Sequence, residues 1–331
     1  MPAQRRRVGV IGTFVWDEIH GRDPAQAPLA EWGGITYALA GLDAALTDDW
    51  EIVPLIKIGS DLAARAWDFL RTLRHLAPDA APIEVPYPNN RVTLRYVSAE
   101  RRTEQLSGGI PGWHWLGLKP LLRDLDALYV NLISGFELDL ETAQLIRQHF
   151  TGPIFCDLHS LLLGVDANGL RVPRSIPNAP AWMACFDVVQ VNEEEMQLLA
   201  GDPLSLAAMA LAAGVSVLNV TLGPGGAIYF AAPGFERLSD IKKVTLPAAS
   251  ALGGAIRTAR VPAAPTHKAA VGEGDPTGCG DVWGATYFAR LLAGDMLGDA
   301  TSAAMRAAAR NVDHRGATGL ASYLRGELTL T

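Results

Sequence analysis

The segment with the most chemical potential reads Gly274-Asp275-Pro276-Thr277-Gly278-Cys279-Gly280-Asp281 and runs straight into an apolar, alanine-rich stretch over 281–292. Small residues let a backbone approach a ligand closely. A helix start offers unsatisfied N–H groups and the positive end of a dipole. Together they make an anion hole able to hold a phosphate. The loop is not a Walker loop, because no Gly-Lys dipeptide occurs in the chain. It is not the dinucleotide fingerprint either, because Gly284 falls one residue late for GxGxxG. A carboxylate at Asp281 would repel phosphate oxygens. It makes sense as a base that accepts a proton from an attacking hydroxyl while backbone amides neutralise the transferring group. The alternative is a plain helix cap.

Such a loop needs a rigid scaffold, and the remaining sequence describes one. Short apolar runs over 8–13, 52–58, 127–133, 153–158, 188–191 and 215–222 read as strands. Helical patterns over 34–46, 61–76, 281–292 and 300–312 stand among or after them. This alternation predicts an α/β fold: a mostly parallel sheet with helices on both faces in three layers. Two segments break it. Residues 91–97 alternate polar and apolar and are followed by 103–106 and Gly108-Gly109, as in a half-exposed hairpin; residues 14–32 carry Pro24 and Pro28 and no helical stripe. Both leave the sheet where ligands of open α/β sheets bind. We expect one domain over 1–331 with a small β-strand lid built from 14–33 and 86–110. The Pro/Ala/Gly-rich stretch 231–274 is expected to hold one or two edge strands, such as 243–246.

The bulk numbers remove whole classes. With 331 residues, 49% hydrophobic and 19% charged, the chain buries too much to be disordered. A net charge of -7 speaks against a nucleic-acid binder. No run reaches the ~18 apolar residues of a membrane span. Three cysteines suit a reducing compartment, so a cytoplasmic protein is expected. The seven histidines form no HExxH, and no CxxC is present, which leaves no transition-metal signature.

Asp275–Asp281 resembles the DTxGAGD signature of the PfkB (ribokinase-like) carbohydrate kinases. Gly33-Gly34 before an alanine-rich helix is similar to the family's N-terminal double glycine. Asn192-Glu193-Glu194-Glu195 is similar to its NxxE motif, Thr221-Leu-Gly-Pro-Gly-Gly226 to its TxGxxG loop, and Arg315-Gly316-Ala317 to its terminal Gly-Ala. The order of these five features is the family's, and they span nearly the whole chain.

The resemblance implies a ribokinase-like (Rossmann-like) fold and transfer of the γ-phosphoryl group of ATP to a hydroxyl, commonly a primary alcohol of a sugar. Asp281 would be the base, and the amides of Gly278, Cys279 and Gly280 would stabilise the transferring group. Asn192 and Glu195 match positions that organise Mg2+ through water; a capping box is the second reading of the same pair. Thr221, Gly223 and Gly226 would line the nucleotide, or simply build a hairpin turn. Asn311 and Gly316 lie near the adenine or a monovalent cation, and Asp275 and Thr277 match the K+ loop of the ribokinase branch, although Pro276 replaces its threonine. On the acceptor side the resemblance implies Asp17 as a ligand of sugar hydroxyls, with Gly33, Gly34, Asn90 and Glu137 around it. Thr93 is a weaker candidate.

The chain departs from ribokinase at Val15 and Ala38, where that branch has asparagines, and this puts ribose in question. Trp16, Trp32, Tyr37, Trp113 and Trp115 could stack on a ligand or pack beneath the lid. Arg91 and Arg95 could bind a substrate phosphate or guard an edge strand. Cys279 could be a reactive thiol at a helix start or a small residue tolerated there. A nucleoside kinase and a non-catalytic sugar or nucleotide sensor stand as alternatives, with a dehydrogenase resting on Gly9 and Gly12 far behind. The family often pairs lids, and the strand over 92–97 invites pairing, so a homodimer through the lid is expected.

Overall fold

The computed structural model describes residues 5–20, 27–96, 102–241, 254–266 and 274–328. The first strand, β1 (Arg6–Ile11), continues into β2 (Phe14–His20), β3 (Leu29–Gly34) and helix α1 (Ile35–Ala45). Then come β4 (Trp50–Leu55), β5 (Lys57–Gly59), α2 (Ala63–Leu70), β6 (Ile83–Val85), β7 (Arg91–Tyr96), β8 (Arg102–Ser107), α3 (Trp115–Leu118), β9 (Ala127–Asn131), α4 (Leu140–His149) and β10 (Ile154–Asp157). The second half holds β11 (Leu163–Val165), β12 (Arg171–Pro173), α5 (Ala179–Met183), β13 (Val188–Asn192), α6 (Glu193–Leu199), α7 (Pro203–Ala212), β14 (Val217–Thr221), β15 (Ala227–Ala231), β16 (Arg257–Val261), α8 (Cys279–Leu292), α9 (Leu297–Asp313) and α10 (Leu320–Leu324).

Eight strands form one sheet in the order β16-β15-β14-β13-β10-β9-β1-β4. From β4 to β14 every pairing is parallel, while β15 and β16 extend the sheet antiparallel. Alternate residues of each strand feed opposite faces. Val8 and Val10, Tyr129, and Phe155 enter a core shared with α1, α8 and α9; Ile11, Val130 and Cys156 enter a second core with α4, α5 and α7. Both faces are covered, which explains why these strands read as continuous apolar runs rather than alternating ones.

A second sheet has the order β3-β2-β7-β8. Its β2–β3 and β7–β8 pairs are antiparallel, and β2 runs parallel to β7. Trp16 and Trp32 meet edge-to-face at 5.0 Å on one side of it, with Phe14 against Trp32 and Phe69. These aromatics pack the sheet onto the domain. The other side presents Val15, Asp17, Val92 and Leu94 to a cleft.

The structure corrects two expectations. The helix over 61–76 stops at Leu70, because the following residues leave to pair with β4: Ile52 donates to the carbonyl of His75, and Ala77 donates to that of Ile52. The strand expected to pair between protomers, β7, lies inside the second sheet with Val92 and Leu94 buried. The stretch 231–274 supplies β16 as its edge strand; 243–246 falls outside the described residues. Unexpected was the antiparallel hairpin β11–β12. It touches β8, where Leu170 bridges Gln105 and the Leu106 amide donates to the Gly169 carbonyl at 2.9 Å.

Candidate active site

A cleft of about 1120 Å3 opens between the second sheet, the β11–β12 hairpin and the carboxyl ends of the central strands. Asp17 lies on its wall at one end, Asn192 and Glu195 at the other, and Gly278 and Asp281 also line it. The sequence ends its central apolar strands on polar residues: Asn131 on β9, Asp157 on β10 and Asn192 on β13. Parallel strands deliver these ends to one edge of the sheet, opposite the start of α8.

Asp281 sits in the first turn of α8, and Asn131 Nδ2 donates to its Oδ1 at 2.6 Å. Burial raises the Asp281 carboxyl above its ordinary value, while His159 and the Asn131 hydrogen bond pull it back. Its carboxylate also accepts from its own amide in that first turn, while Gly278 occupies the cap position with φ 73° and brings no side chain to it. Gly278 is required twice over: by that left-handed conformation, and because a Cβ would lie 2.2 Å from the Tyr37 ring. Tyr37 thus floors the loop, and its phenol stays protonated, held up by burial and by surrounding carboxylates.

Gln190 braces the same region, donating through Nε2 to Asp157 Oδ2 and to the Gly280 carbonyl, both at 3.0 Å. Burial and the neighbouring Glu195 push the Asp157 carboxyl well up. Asn192 and Glu195 form the capping box: the Asn192 amide donates to Glu195 Oε2, Asn192 Nδ2 to Glu195 Oε1 and the Glu195 amide to Asn192 Oδ1, at 2.7–2.8 Å. The box turns the Glu195 carboxylate toward His159, whose Nδ1 is 3.2 Å from Oε1. Burial opposes charge on His159, but the Glu195 hydrogen bond and the charges of Glu195, Asp157 and Asp281 push the imidazole up to about 10.

The other expected residues are distributed less simply. Asp17 and Gly33 belong together, because a Cβ at Gly33 would fall 1.8 Å from Asp17 Oδ2; the glycine makes room for that carboxylate. Gly34 lines the cleft beside them. Glu137 does not line it. Its carboxylate accepts from Thr13 Oγ1 and the amides of Ser134 and Gly135, and so shapes the loop after β9. Asn90 is buried and accepts from the Ile110 amide at 3.3 Å, a structural bond. Arg91 pairs with Asp61 at 2.8 Å, on the face of β7 away from the cleft. Thr221, Gly223, Gly226, Asn311 and Gly316 stand outside the cleft as well. Gly226 is fixed by packing, since a Cβ would lie 2.1 Å from the Val261 carbonyl, whereas Gly223 faces open space.

Two residues of the loop itself bond to their neighbours. The Cys279 thiol lies 3.5 Å from the Ala308 carbonyl and 3.3 Å from Asn311 Nδ2, and burial pushes it up to about 11. It is not an activated thiolate. Asp275 Oδ1 accepts from the Thr277 amide at 2.9 Å, and the Thr277 carbonyl accepts from Asn311 Nδ2 at 2.8 Å. These bonds brace the turn that carries Asp275 and Thr277. Among the described residues no group of three or more His, Cys, Asp or Glu is arranged to hold a metal.

Sequence reasoning missed Asn131, Gln190, His159 and Arg171. The first could have been found as a polar residue closing an apolar strand. Arg171 lines the cleft from β12 and donates to Ser160 Oγ at 2.5 Å and to the carbonyls of Ser134 at 2.9 Å and Ile133 at 3.1 Å.

No protein-family model matches the chain, and no curated protein matches it in sequence. Solved structures do. A pyrophosphate-dependent kinase in the ribokinase family, complexed with a pyrophosphate analogue and myo-inositol, superposes with TM-score 0.70 at 14% identity, over 93% of this chain and 96% of the other. The chain has the ribokinase fold. Arabidopsis thaliana ribokinase complexed with ribose and ATP matches with TM-score 0.67 at 15% identity over 99% of both chains. A Burkholderia thailandensis nucleoside kinase in complex with inosine matches with TM-score 0.67 at 16% identity, over 97% of this chain and 95% of the other. No helix among the described residues is long and apolar enough to cross a membrane.

Proposed function

We propose that the chain is a kinase that transfers the γ-phosphoryl group of ATP to a hydroxyl, a primary alcohol, of a sugar or sugar-like acceptor. The observation that carries this reading is Asp281. It is a partly buried carboxylate oriented by Asn131, in the first turn of α8, in a cleft whose wall also carries Asp17. An acceptor held by Asp17 would direct its hydroxyl at Asp281, which takes the proton as the oxygen attacks. The amides of Gly278 and Gly280 would meet the charge spread over the transferring phosphoryl oxygens, joined by that of Cys279 once it leaves the Pro276 carbonyl, to which it donates at 3.1 Å. The adenosine would extend over Thr221 and Gly223 toward Asn311 and Gly316.

Asn192 and Glu195 suit Mg2+ held through water, because the Glu195 oxygens are already shared with Asn192 and His159. Bound there, Mg2+ would neutralise donor phosphate charge. Asp275 Oδ1 and the Thr277 carbonyl are the oxygens that would hold a monovalent cation such as K+ in this turn. The nucleoside reading draws on the hairpin, whose Val172 is 42% exposed and gives the cleft an apolar wall suited to a base. The sheet edge β3 carries a proposed homodimer. Free Cys156, Cys185 and Cys279 fit a reducing cytoplasm.

The test combines a panel of ribose, inosine and myo-inositol, with ATP or pyrophosphate as donor, and Asp281→Asn. The variant should keep donor binding and lose turnover by about a hundredfold or more, as expected for a missing base. Turnover at the wild-type rate would remove the reading.

A further inference from the structure

The central sheet carries a polar rung beneath α8. On that face one rung reads Tyr129, Phe155, Val188, Val217 and Ala231 across β9, β10, β13, β14 and β15. The next rung, toward the carboxyl ends of the parallel strands, reads Asn131, Asp157, Gln190, Asn219 and Tyr229. None of these five is more than 4% exposed. Burying polar groups costs stability unless each finds a partner. The outer half of the rung has its reason in the site. Asn131 holds Asp281, and Gln190 Nε2 donates to Asp157 Oδ2 and to the Gly280 carbonyl. Asn219 does not line the cleft, so its burial asks for another reason.

Donor and acceptor capacities supply it. Both hydrogens of Gln190 Nε2 are spent, which leaves Gln190 Oε1 in need of a donor. Among the described residues, Gln190 Oε1, both ends of the Asn219 carboxamide and the Tyr287 hydroxyl are buried without a hydrogen-bond partner. These groups are neighbours. Gln190 and Asn219 are register partners on adjacent parallel strands, whose spacing is about 4.8 Å. The Asn219 carboxamide lies near enough to Tyr287 to oppose the upward push that burial gives its phenol. The push prevails, so the hydroxyl keeps its proton and can donate. On α8, Gly284 makes room for Gln190, since a Cβ there would lie 2.4 Å from Oε1. One directed chain satisfies all four atoms: Tyr287 O–H to Asn219 Oδ1, then Asn219 Nδ2–H to Gln190 Oε1. Turning the Gln190 carboxamide over would set its oxygen against the Gly280 carbonyl oxygen.

Resting on the kinase reading, we propose that Asn219, backed by Tyr287, is a positioning residue of the phosphate loop: its Nδ2–H donates to Gln190 Oε1 and so fixes the carboxamide that holds the Gly280 carbonyl. That carbonyl belongs to the peptide unit joining Gly280 to Asp281. Holding it seats the first turn of α8, with the Gly280 amide on one side and the Asp281 carboxylate on the other. A polar group deep under the helix thereby acts on the site through Gln190 alone. An Asn219 that served only the packing of the sheet would leave donor affinity and turnover unchanged.

The experiment uses Asn219→Val, Tyr287→Phe, Gln190→Leu and the combination of Asn219→Val with Gln190→Leu, all in the full chain. Tyr287→Phe removes one oxygen and keeps the ring, so folding is spared. Calorimetry with Mg2+ measures the affinity for ADP and for pyrophosphate, while kcat, acceptor KM and the melting temperature are followed in parallel. In Asn219→Val we expect the ligand that wild type binds to weaken about fivefold or more and kcat to fall about tenfold, as for a misplaced reacting group. Tyr287→Phe should move both in the same direction by less, and acceptor KM should stay at the wild-type value. Because the link runs through Gln190, the combined variant should bind no more weakly than Gln190→Leu alone. A lowered melting temperature with donor affinity and kcat within twofold of wild type overturns the proposal. So does an effect that simply adds to that of Gln190→Leu. If wild type binds either ligand but phosphorylates nothing, the kinase reading fails separately, and the affinities still decide the role of Asn219. A wild type that binds neither ligand overturns both.

Discussion

At the residue scale, the acid–base behaviour of Asp281 follows from its surroundings. Burial raises its carboxyl above the ordinary 3.8, and the opposing pull of His159 and Asn131 does not cancel this. If Asp281 is the base proposed above, it must be ionised, so activity should fall as pH drops through the raised value, and the acid limb of kcat/KM should lie above 3.8. Asn131→Ala removes a hydrogen bond that favours the carboxylate and should move that limb further up. A pH profile of both proteins measures it; an unchanged limb would mean that Asn131 does not tune the base. Asp281 was legible in the sequence because its loop is local and its spacing distinctive. Gln190 and His159 were not, because one sits mid-strand in β13 and the other just past β10, and they meet the α8 loop only when the parallel sheet assembles. Glu137 and Gly226 show the converse: residues matching a family position whose side chain or space is taken by the fold itself.

At the element scale, the hairpin β11–β12 is the part the sequence concealed. Its turn is built by Asp166, whose Oδ1 accepts from the amides of Asn168 and Leu170, both at 2.8 Å. Strands of three residues, too short to show a period, hid it. The hairpin fixes the acceptor end of the cleft through Arg171. That guanidinium ties together Ser160 and the carbonyls of Ile133 and Ser134, and burial pulls its pKa down while Glu104, Glu137 and Asp17 support its charge. Arg171→Met fills the volume but leaves those carbonyls without a donor. It should lower stability by about 2–3 kcal/mol, mainly through unmet hydrogen bonds. Acceptor KM should rise severalfold with donor affinity unchanged. Denaturant unfolding and a two-substrate kinetic matrix test this; a stability loss without any KM change would make the hairpin a brace rather than a wall of the site.

At the scale of the whole molecule, exposed strand edges decide how two copies could meet, because an unpaired edge is a template for another chain. The central sheet ends at β4, where residues 75–77 already hydrogen-bond to Ile52, and at β16, which pairs only with β15 among the described residues. The second sheet ends at β8, covered in part by the hairpin through Leu170, and at β3, which pairs only with β2 among the described residues. Within the second sheet, which carries Asp17, the edge open to a second copy is β3, not the β7 that its alternating sequence suggested. A two-fold axis beside β3 would join two second sheets into one of eight strands, an isologous contact that closes on itself. The same strand carries Glu31, which reaches Gly316, and Gly33, which makes room for Asp17, so pairing at β3 would stiffen the acceptor wall. Sedimentation velocity at working concentration should therefore give a dimer, and dilution to monomer should raise acceptor KM. A monomer at every concentration, with KM unchanged, would leave β3 as a solvated edge and the cleft complete within one chain.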